Sequence, residues 1–227
     1  MATVWDWAKE LEIRHIHVIK VGSESNAPET LRARELDDFQ ADLVLVCDDM
    51  FAELAAGRRP INYQPITKIV RRLMIPSPIT QFCGVAGSYV GVASDGQIYP
   101  CFRHLGLEDY RLGSVFDGID GAARQAYRKN EAADVDRRPA CNSCWARYLC
   151  GGGCYADSVV YGPDKFRPKD EHCPFWRAEI AQATRFFHRI RSTDPKYAFG
   201  LFGDDPSEFL AGAEMVQPSF LQSKKTF

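Results

Sequence analysis

The chain has 227 residues, of which 45% are hydrophobic and 26% are charged, and its formal net charge is −2. These values are ordinary for a globular protein with one domain or two small ones, and they give no reason to expect nucleic acid as a partner. No run reaches the roughly 18 apolar residues of a membrane span. We expect no signal peptide, because the first residues show no basic segment followed by an apolar core. We therefore predict a cytoplasmic protein, a compartment in which disulfides would account poorly for eight cysteines.

The first 75 residues are predicted to form one strand–helix unit of an α/β protein. Residues 13–21 are a β-branched run typical of a buried strand, and Pro28 suits the first turn of the next helix. That helix ends near Gly57, and a shorter one follows at 65–73. Its apolar stripe consists of Leu36, Phe39, Leu43, Val46, Met50 and Leu54. One such unit cannot close a sheet, so we expect an exposed apolar edge and association or poor solubility.

Three residues of this segment are of types that can bind a metal, but such residues more often have a structural role. His15 and His17 alternate on the predicted strand, where partnered histidines are much commoner than metal ligands. Cys47 lies near the apolar stripe of the helix, so we predict a buried, inert thiol rather than a distant cluster ligand.

A β-hairpin is predicted in the middle of the chain. Residues 89–93 and 97–100 flank Ser94-Asp95-Gly96, in which the glycine supplies a positive φ. A hairpin brings its outer ends together, so Cys83 and Cys101 are expected to be neighbours. The elements predicted after it are a short strand at 111–116, a helix at 121–129 and a charged connector at 130–139.

Cysteines dominate the next part of the sequence. Four fall within fourteen residues, a fifth follows, and two more lie upstream. These seven are Cys83, Cys101, Cys141, Cys144, Cys150, Cys154 and Cys173. Clustered thiolates suit iron–sulfur clusters, because each iron takes a thiolate as its outer ligand. Three glycines before Cys154 permit left-handed backbone and close approach to a cluster. They are Gly151, Gly152 and Gly153.

The C-terminal part is predicted to be one helix and a tail. The apolar positions that recur at helical spacing are Trp176, Ile180, Ala183, Phe187 and Ile190. The other face carries Arg177, Arg185 and Arg189. Beyond Asp194 the sequence has no period, so we expect a loosely packed or disordered end.

Three interpretations of the seven cysteines remain open from the chemistry of the residues. Tetrahedral zinc favours two C-x-x-C pairs, and only Cys141 and Cys144 have that form. Disulfides conflict with the predicted compartment. Two iron–sulfur clusters would use four thiolates and three, and the second would keep one iron open or ligated from elsewhere.

The order of the cysteines resembles the seven-cysteine SPASM signature, which occurs in the C-terminal extension of radical S-adenosylmethionine enzymes that modify peptides and proteins. The segments 96–103, 111–115 and 144–154 are similar to the thioether-forming maturases, including those of six-cysteine peptides and of quinohemoprotein amine dehydrogenase. The resemblance implies an α+β fold. It comprises the last strand–helix unit of a partial (β/α) barrel at 1–75, a SPASM domain with hairpin, cysteine-rich loops and flanking helices at 76–192, and a tail at 193–227.

The resemblance also implies two [4Fe–4S] clusters. The outer one would be held by Cys141, Cys144, Cys150 and Cys173, and the inner one by Cys83, Cys101 and Cys154. No second cysteine lies near Cys83, so an open iron that could bind a substrate thiolate is expected. Three arginines beside the anionic clusters, and the three glycines, would stabilise the clusters. The alternative is that these arginines are ordinary surface charges. They are Arg103, Arg111 and Arg147.

The sequence also departs from the pattern of this family. No C-x3-C-x2-C triad, which binds the cluster that cleaves S-adenosylmethionine, occurs in the chain. In sulfatase maturases an aspartate follows the cysteine that matches Cys101, but Phe102 and Arg103 follow it here. We therefore expect an auxiliary module that binds a peptide or protein substrate, and S-adenosylmethionine only through a radical half supplied separately. A second copy of the chain is the other possible partner. The alternatives to this function are a stand-alone electron-transfer or peptide-binding protein and a zinc-stabilised module.

Overall fold

The structure of the chain is a computed structural model that describes residues 2–75, 78–162 and 164–202. It mixes helix and sheet in two compact units. The first unit takes its described residues from 1–21, 31–78 and 174–227, and the second takes them from 22–30 and 79–173. The chain passes between the units four times.

The first unit is mainly helical. Its elements are α1 (Ala2–Glu10), β1 (His15–Ile16), α2 (Leu36–Ala55), β2 (Asn62–Tyr63), α3 (Gln64–Met74), most of α8 (His172–Thr193) and α9 (Lys196–Gly200). Its core contains Trp5, Met50, Tyr63 and Phe175, all almost completely buried. The indole Nε1 of Trp5 donates to Asp49 Oδ2 at 2.9 Å, which satisfies the polar atom of this large buried side chain.

The prediction of a buried strand at 13–21 is wrong. Only His15–Ile16 is a strand, and it pairs in parallel with Asn62–Tyr63 in a sheet of two strands. Ile19 and Val21 are 55% and 53% exposed. A β-branched run predicts a strand, but burying that strand also requires a neighbouring strand on each side. Among the described residues, β1 pairs with one strand, β2.

The helices of the first unit follow the apolar pattern closely. The stripe of α2 is buried at Leu43, Val46, Met50 and Leu54. Its start is later than Pro28 predicts, since the α-helix begins at Leu36 after a 3₁₀ turn (Ala33–Glu35). Among the described residues, no helix is long and apolar enough to cross a membrane.

The predicted loose tail is only partly tested, because residues 203–227 lie outside the described residues. Up to residue 202 the prediction is wrong. α9 forms there, and Ala198 and Leu201 are buried. The ring of Tyr197 packs edge-on against Phe51 of α2 at 6.0 Å between centroids. α9 has 5 residues, too few for an apolar period to be visible in the sequence.

The second unit contains a four-stranded antiparallel sheet. Its strands are β3 (Gly91–Val92), β4 (Gln97–Tyr99), β5 (Gly113–Ser114) and β6 (Gly118–Ile119), paired in that order. Gly91 faces Tyr99 across the first pair, and Ile98 faces Gly113 across the second. Four helices follow: α4 (Gly121–Arg128), α5 (Pro139–Asn142), α6 (Arg147–Cys150) and α7 (Tyr155–Tyr161).

Short helices and loops carry the cysteines in this unit because the core beside them is small. It is formed by Ala86, Ile98, Leu112, Tyr127, Ala132, Ala133 and Tyr155. Asp120 caps α4 by accepting from the N–H groups of Ala122 and Ala123, which fixes where that helix begins. Such a core leaves the segment from α5 to α7 dependent on polar and cysteine-based interactions.

Candidate metal centre

None of the eight cysteines forms a disulfide in this structure. Seven of them lie in loops or short elements of the second unit or at the start of α8. Cys101 follows β4, Cys150 ends α6 and Cys154 precedes α7. Cys83 is exposed, Cys101 and Cys141 are buried, and the other four of the seven are partly buried. Partly exposed thiols at element ends can turn toward a common centre without breaking a helix or a strand.

Three cysteines form the first group, which we call the three-cysteine group: Cys83, Cys101 and Cys154. Burial raises the pKa of Cys101, and the charge of a Cys83 thiolate raises it further. Burial also raises the pKa of Cys154 to about 12, and Asp157 and a Cys83 thiolate add to this rise. Metal ligation requires thiolates, so loading this group would release protons.

Tyr89 lies at the same group. Its hydroxyl donates to Cys83 Sγ at 3.3 Å. Burial raises the pKa of Tyr89, and thiolates at all three cysteines of the group raise it further. The charges of all three thiols therefore act on the phenol of Tyr89, which contacts Cys83 directly.

His104 supports the three-cysteine group from the core. The histidine is completely buried, and its Nδ1 lies 3.2 Å from Cys101 Sγ. Its ring packs against those of Tyr110 and Tyr127, at centroid distances of 4.8 and 5.4 Å. Burial lowers the pKa of His104 to about 4, so the imidazole is neutral at pH 7. A neutral ring with Nδ1 protonated would donate to the sulfur of Cys101 and hold it in place.

The other four cysteines form the four-cysteine group: Cys141, Cys144, Cys150 and Cys173. Burial raises the pKa of Cys141, the positive charge of Arg138 opposes that rise, and thiolates at Cys150 and Cys144 add to it. Burial lowers the pKa of Arg138, and thiolates at Cys141, Cys173 and Cys150 oppose that fall, so Cys173 is assigned to the same group.

Three successive glycines connect the two groups. Gly151, Gly152 and Gly153 have φ values of 75°, 85° and 71°, all in the left-handed region. A Cβ added to Gly151 would lie 2.7 Å from Phe82 Cα, so this glycine lets the loop before Cys83 approach the end of α6.

The three arginines proposed from the sequence lie in different surroundings. Arg103 forms an ion pair with the buried Asp157 and lowers the pKa of Cys101 and Cys154. Arg147 donates to the carbonyl of Cys144 at 3.4 Å and lies over the ring of Tyr148. Arg111 is about half exposed and pairs with Glu108 and Gln97 instead.

The residues predicted to be structural in the first unit have ordinary surroundings. Cys47 is buried, which raises the pKa of its thiol to about 12, so the thiol is protonated at neutral pH. Nδ1 of His15 lies 3.1 Å from the side-chain nitrogen of Asn62. The pKa of His17 is lowered by burial and by Lys68.

No group of three or more His, Cys, Asp or Glu side chains in the described part of the chain is arranged to hold a metal ion. In a [4Fe–4S] cluster each cysteine binds a different iron, so the ligands surround a larger object than one ion. We therefore define both groups by donor chemistry and by the charges acting between their members. All-thiolate groups with neighbouring arginine and histidine donors suit iron–sulfur clusters.

Sequence reasoning missed Arg138, Tyr89 and His104. Arg138 and His104 each lie three residues from a cysteine, which was the available signal. Their burial depends on tertiary packing, and neighbours such as Arg137 look equivalent in the sequence.

Comparisons with known proteins identify the fold. No family model matches the chain. An uncharacterized protein from Archaeoglobus fulgidus is 29% identical over 98 residues, which cover 42% of this chain and 23% of that protein. The chain therefore spans about a quarter of that relative's length.

Solved structures of anSMEcpe, an anaerobic sulfatase-maturating enzyme of the radical S-adenosylmethionine and SPASM family, share this fold. A histidine-tagged form of anSMEcpe with bound AdoMet aligns with a TM-score of 0.60 at 18% identity, over 87% of this chain and 53% of that chain. Native anSMEcpe with bound AdoMet and Kp18Cys peptide aligns with a TM-score of 0.60 at 16% identity, over 85% and 54%. The chain thus spans about half the length of these structures. At 16–18% identity these structures show a shared fold, and they do not favour the thioether-forming type.

Proposed function

We propose that the chain is the auxiliary, two-cluster module of a radical S-adenosylmethionine enzyme that modifies a peptide or protein. The observation that supports this proposal is that charge interactions link Cys83 with Cys101 and Cys154, and link Cys141 with Cys144 and Cys150. The fold shared with anSMEcpe supports it. Two of the anSMEcpe structures hold a bound peptide, so we extend peptide binding to this chain as part of the proposal.

The two groups would have different tasks. The four-cysteine group would hold the outer [4Fe–4S] cluster with a complete set of thiolates, and the three-cysteine group would hold the inner one. Iron–sulfur clusters supply one-electron transfer at potentials set by charge and hydrogen bonds. Around the inner site, Arg103 would provide positive charge, His104 would orient Cys101, and Tyr89 would donate a hydrogen bond to Cys83.

The radical half would come from outside this sequence. The chain has no C-x3-C-x2-C triad, and it spans about half of each anSMEcpe structure. The exposed apolar side chains at Ile13, Ile19 and Val21 offer a surface where barrel strands or a second copy would pack. The bond formed in the substrate, including the thioether chemistry that the sequence resemblance favours, belongs to the same proposal.

The proposal is tested by measuring whether the isolated chain cleaves S-adenosylmethionine. After anaerobic reconstitution, the chain is incubated with S-adenosylmethionine and dithionite, and 5′-deoxyadenosine is measured by mass spectrometry. We expect iron–sulfur absorption without deoxyadenosine above the level of the metal-free chain. A competent radical enzyme assayed in parallel shows that the conditions permit turnover. Deoxyadenosine production by this chain would contradict its assignment as an auxiliary module.

A further inference from the structure

Arg138 is a completely buried cation without a carboxylate partner among the described residues. Its guanidinium donates to the Gly152 carbonyl at 2.7 Å, to Ser158 Oγ at 2.8 Å and to the Phe166 carbonyl at 3.2 Å. These acceptors are neutral. They satisfy the hydrogen-bonding capacity of the guanidinium but do not balance its charge.

A buried charge normally needs a charge of opposite sign, because removing an ion from water costs several kcal/mol. The first unit follows this rule. Lys20 is buried there and pairs with Glu179 at 2.8 Å. Arg138 has no such pair in the described structure, so its balancing charge must come from a group of another kind.

The four-cysteine group is placed to supply that charge. The carbonyl of Arg138 accepts from the N–H of Cys141 at 2.9 Å, and its guanidinium holds Gly152, two residues after Cys150. Four thiolates carry more negative charge than a [4Fe–4S] core carries positive charge, so the loaded site is an anion.

We infer that Arg138 is the buried counter-charge of the four-cysteine group and makes folding of the segment around it depend on loading. This inference rests on the proposed function, since it requires a cluster at that group. Arg138 acts as a positioning residue: its hydrogen bonds fix Gly152, and its charge favours the more negative, reduced state of the loaded site. It also opposes folding when the site is empty.

The test compares Arg138→Met with Arg138→Lys and Arg137→Met. Arg137 is the matched control, because its side chain is 60% exposed and pairs with Glu131. Anaerobic redox titration followed by EPR gives the potential of each cluster, and thermal unfolding is recorded for metal-free and reconstituted protein.

We expect Arg138→Met to shift the potential of one cluster to a more negative value and to speed its loss of iron to a chelator. The other cluster should be unchanged. The same substitution should leave the metal-free chain at least as stable as the wild type. Arg138→Lys should restore most of the potential, and Arg137→Met should match the wild type in every measurement.

The outcomes separate the inference from the proposed function. An unchanged potential in Arg138→Met, or equal destabilisation of its metal-free and loaded forms, would overturn the inference and leave Arg138 as a packing residue. A wild-type chain that takes up no iron would overturn the proposed function as well, and that result is visible before any variant is made.

Discussion

Removing two cysteines from one group is expected to abolish one cluster and leave the other intact. The double substitution of Cys144→Ala and Cys150→Ala leaves the four-cysteine group with two thiols. We expect a cluster to need at least three thiols, as in the three-cysteine group. Cys83→Ala with Cys154→Ala leaves the three-cysteine group with one. Each variant should therefore retain about four of about eight irons per chain after reconstitution.

The two double variants test the division of the cysteines into groups, because each variant should lose the iron of a different cluster. Their EPR spectra after reduction should differ from each other, and the two spectra together should account for that of the wild type. Combining all four substitutions should remove nearly all the iron, since neither group would then keep three thiols. Cys47→Ala is the matched control, because Cys47 is a buried thiol outside both groups, and it should keep about eight irons.

One shared site would give a different result. If either double variant lost all its iron, the seven cysteines would hold one centre and the assignment of two groups would fall. Equal partial losses with the same spectrum in both variants would contradict the division as well.

Gly151→Ala is expected to be severely destabilising. Gly151 has a φ of 75° at the end of α6, where left-handed backbone costs other residues about 1–2 kcal/mol. The new Cβ would also meet Phe82 Cα at 2.7 Å and the carbonyl carbon of Gln81 at 2.8 Å. These are backbone atoms, so relief requires a shift of the loop before Cys83, at a further cost of roughly 1–3 kcal/mol.

Gly106→Ala separates the two costs. Gly106 has a φ of 81°, and a Cβ built on it meets nothing within 4 Å, so this control carries the conformational cost alone. Thermal unfolding of the reconstituted proteins should show a decrease in Tm at least twice as large for Gly151→Ala. Iron content should fall in Gly151→Ala alone, because the loop it displaces carries Cys83. Equal decreases in Tm would contradict the close approach of the two loops.

Local patterns predicted much of the fold and less of the burial. The apolar stripe of α2 specified both a helix and its buried face, because a period of 3.6 residues encodes both. The run at 13–21 specified extended backbone but not its neighbours, so its predicted burial failed. In α8 the stripe was predicted through Phe187, whereas Phe186 is the buried ring. A register difference of one residue is decided by packing rather than by propensity.

The candidate site shows the same limit. Cysteine spacing is visible in the sequence, so the seven thiols could be chosen without coordinates. Arg138 could not be distinguished from Arg137, since one is buried and the other exposed only after α5, α7 and the glycine loop have packed. The three arginines that we proposed as neighbours of the clusters were chosen by nearness in sequence, and Arg111 turns instead toward Glu108.

The central claim is that this chain holds two iron–sulfur clusters, and the most direct test is the metal content of the unmodified protein. Iron and acid-labile sulfide should be measured per chain, with zinc in the same sample, after anaerobic purification and reconstitution. We predict about eight irons and about eight sulfides per chain. About four irons would mean that one group alone is competent, and zinc without iron would contradict the account and leave a zinc-stabilised module in its place.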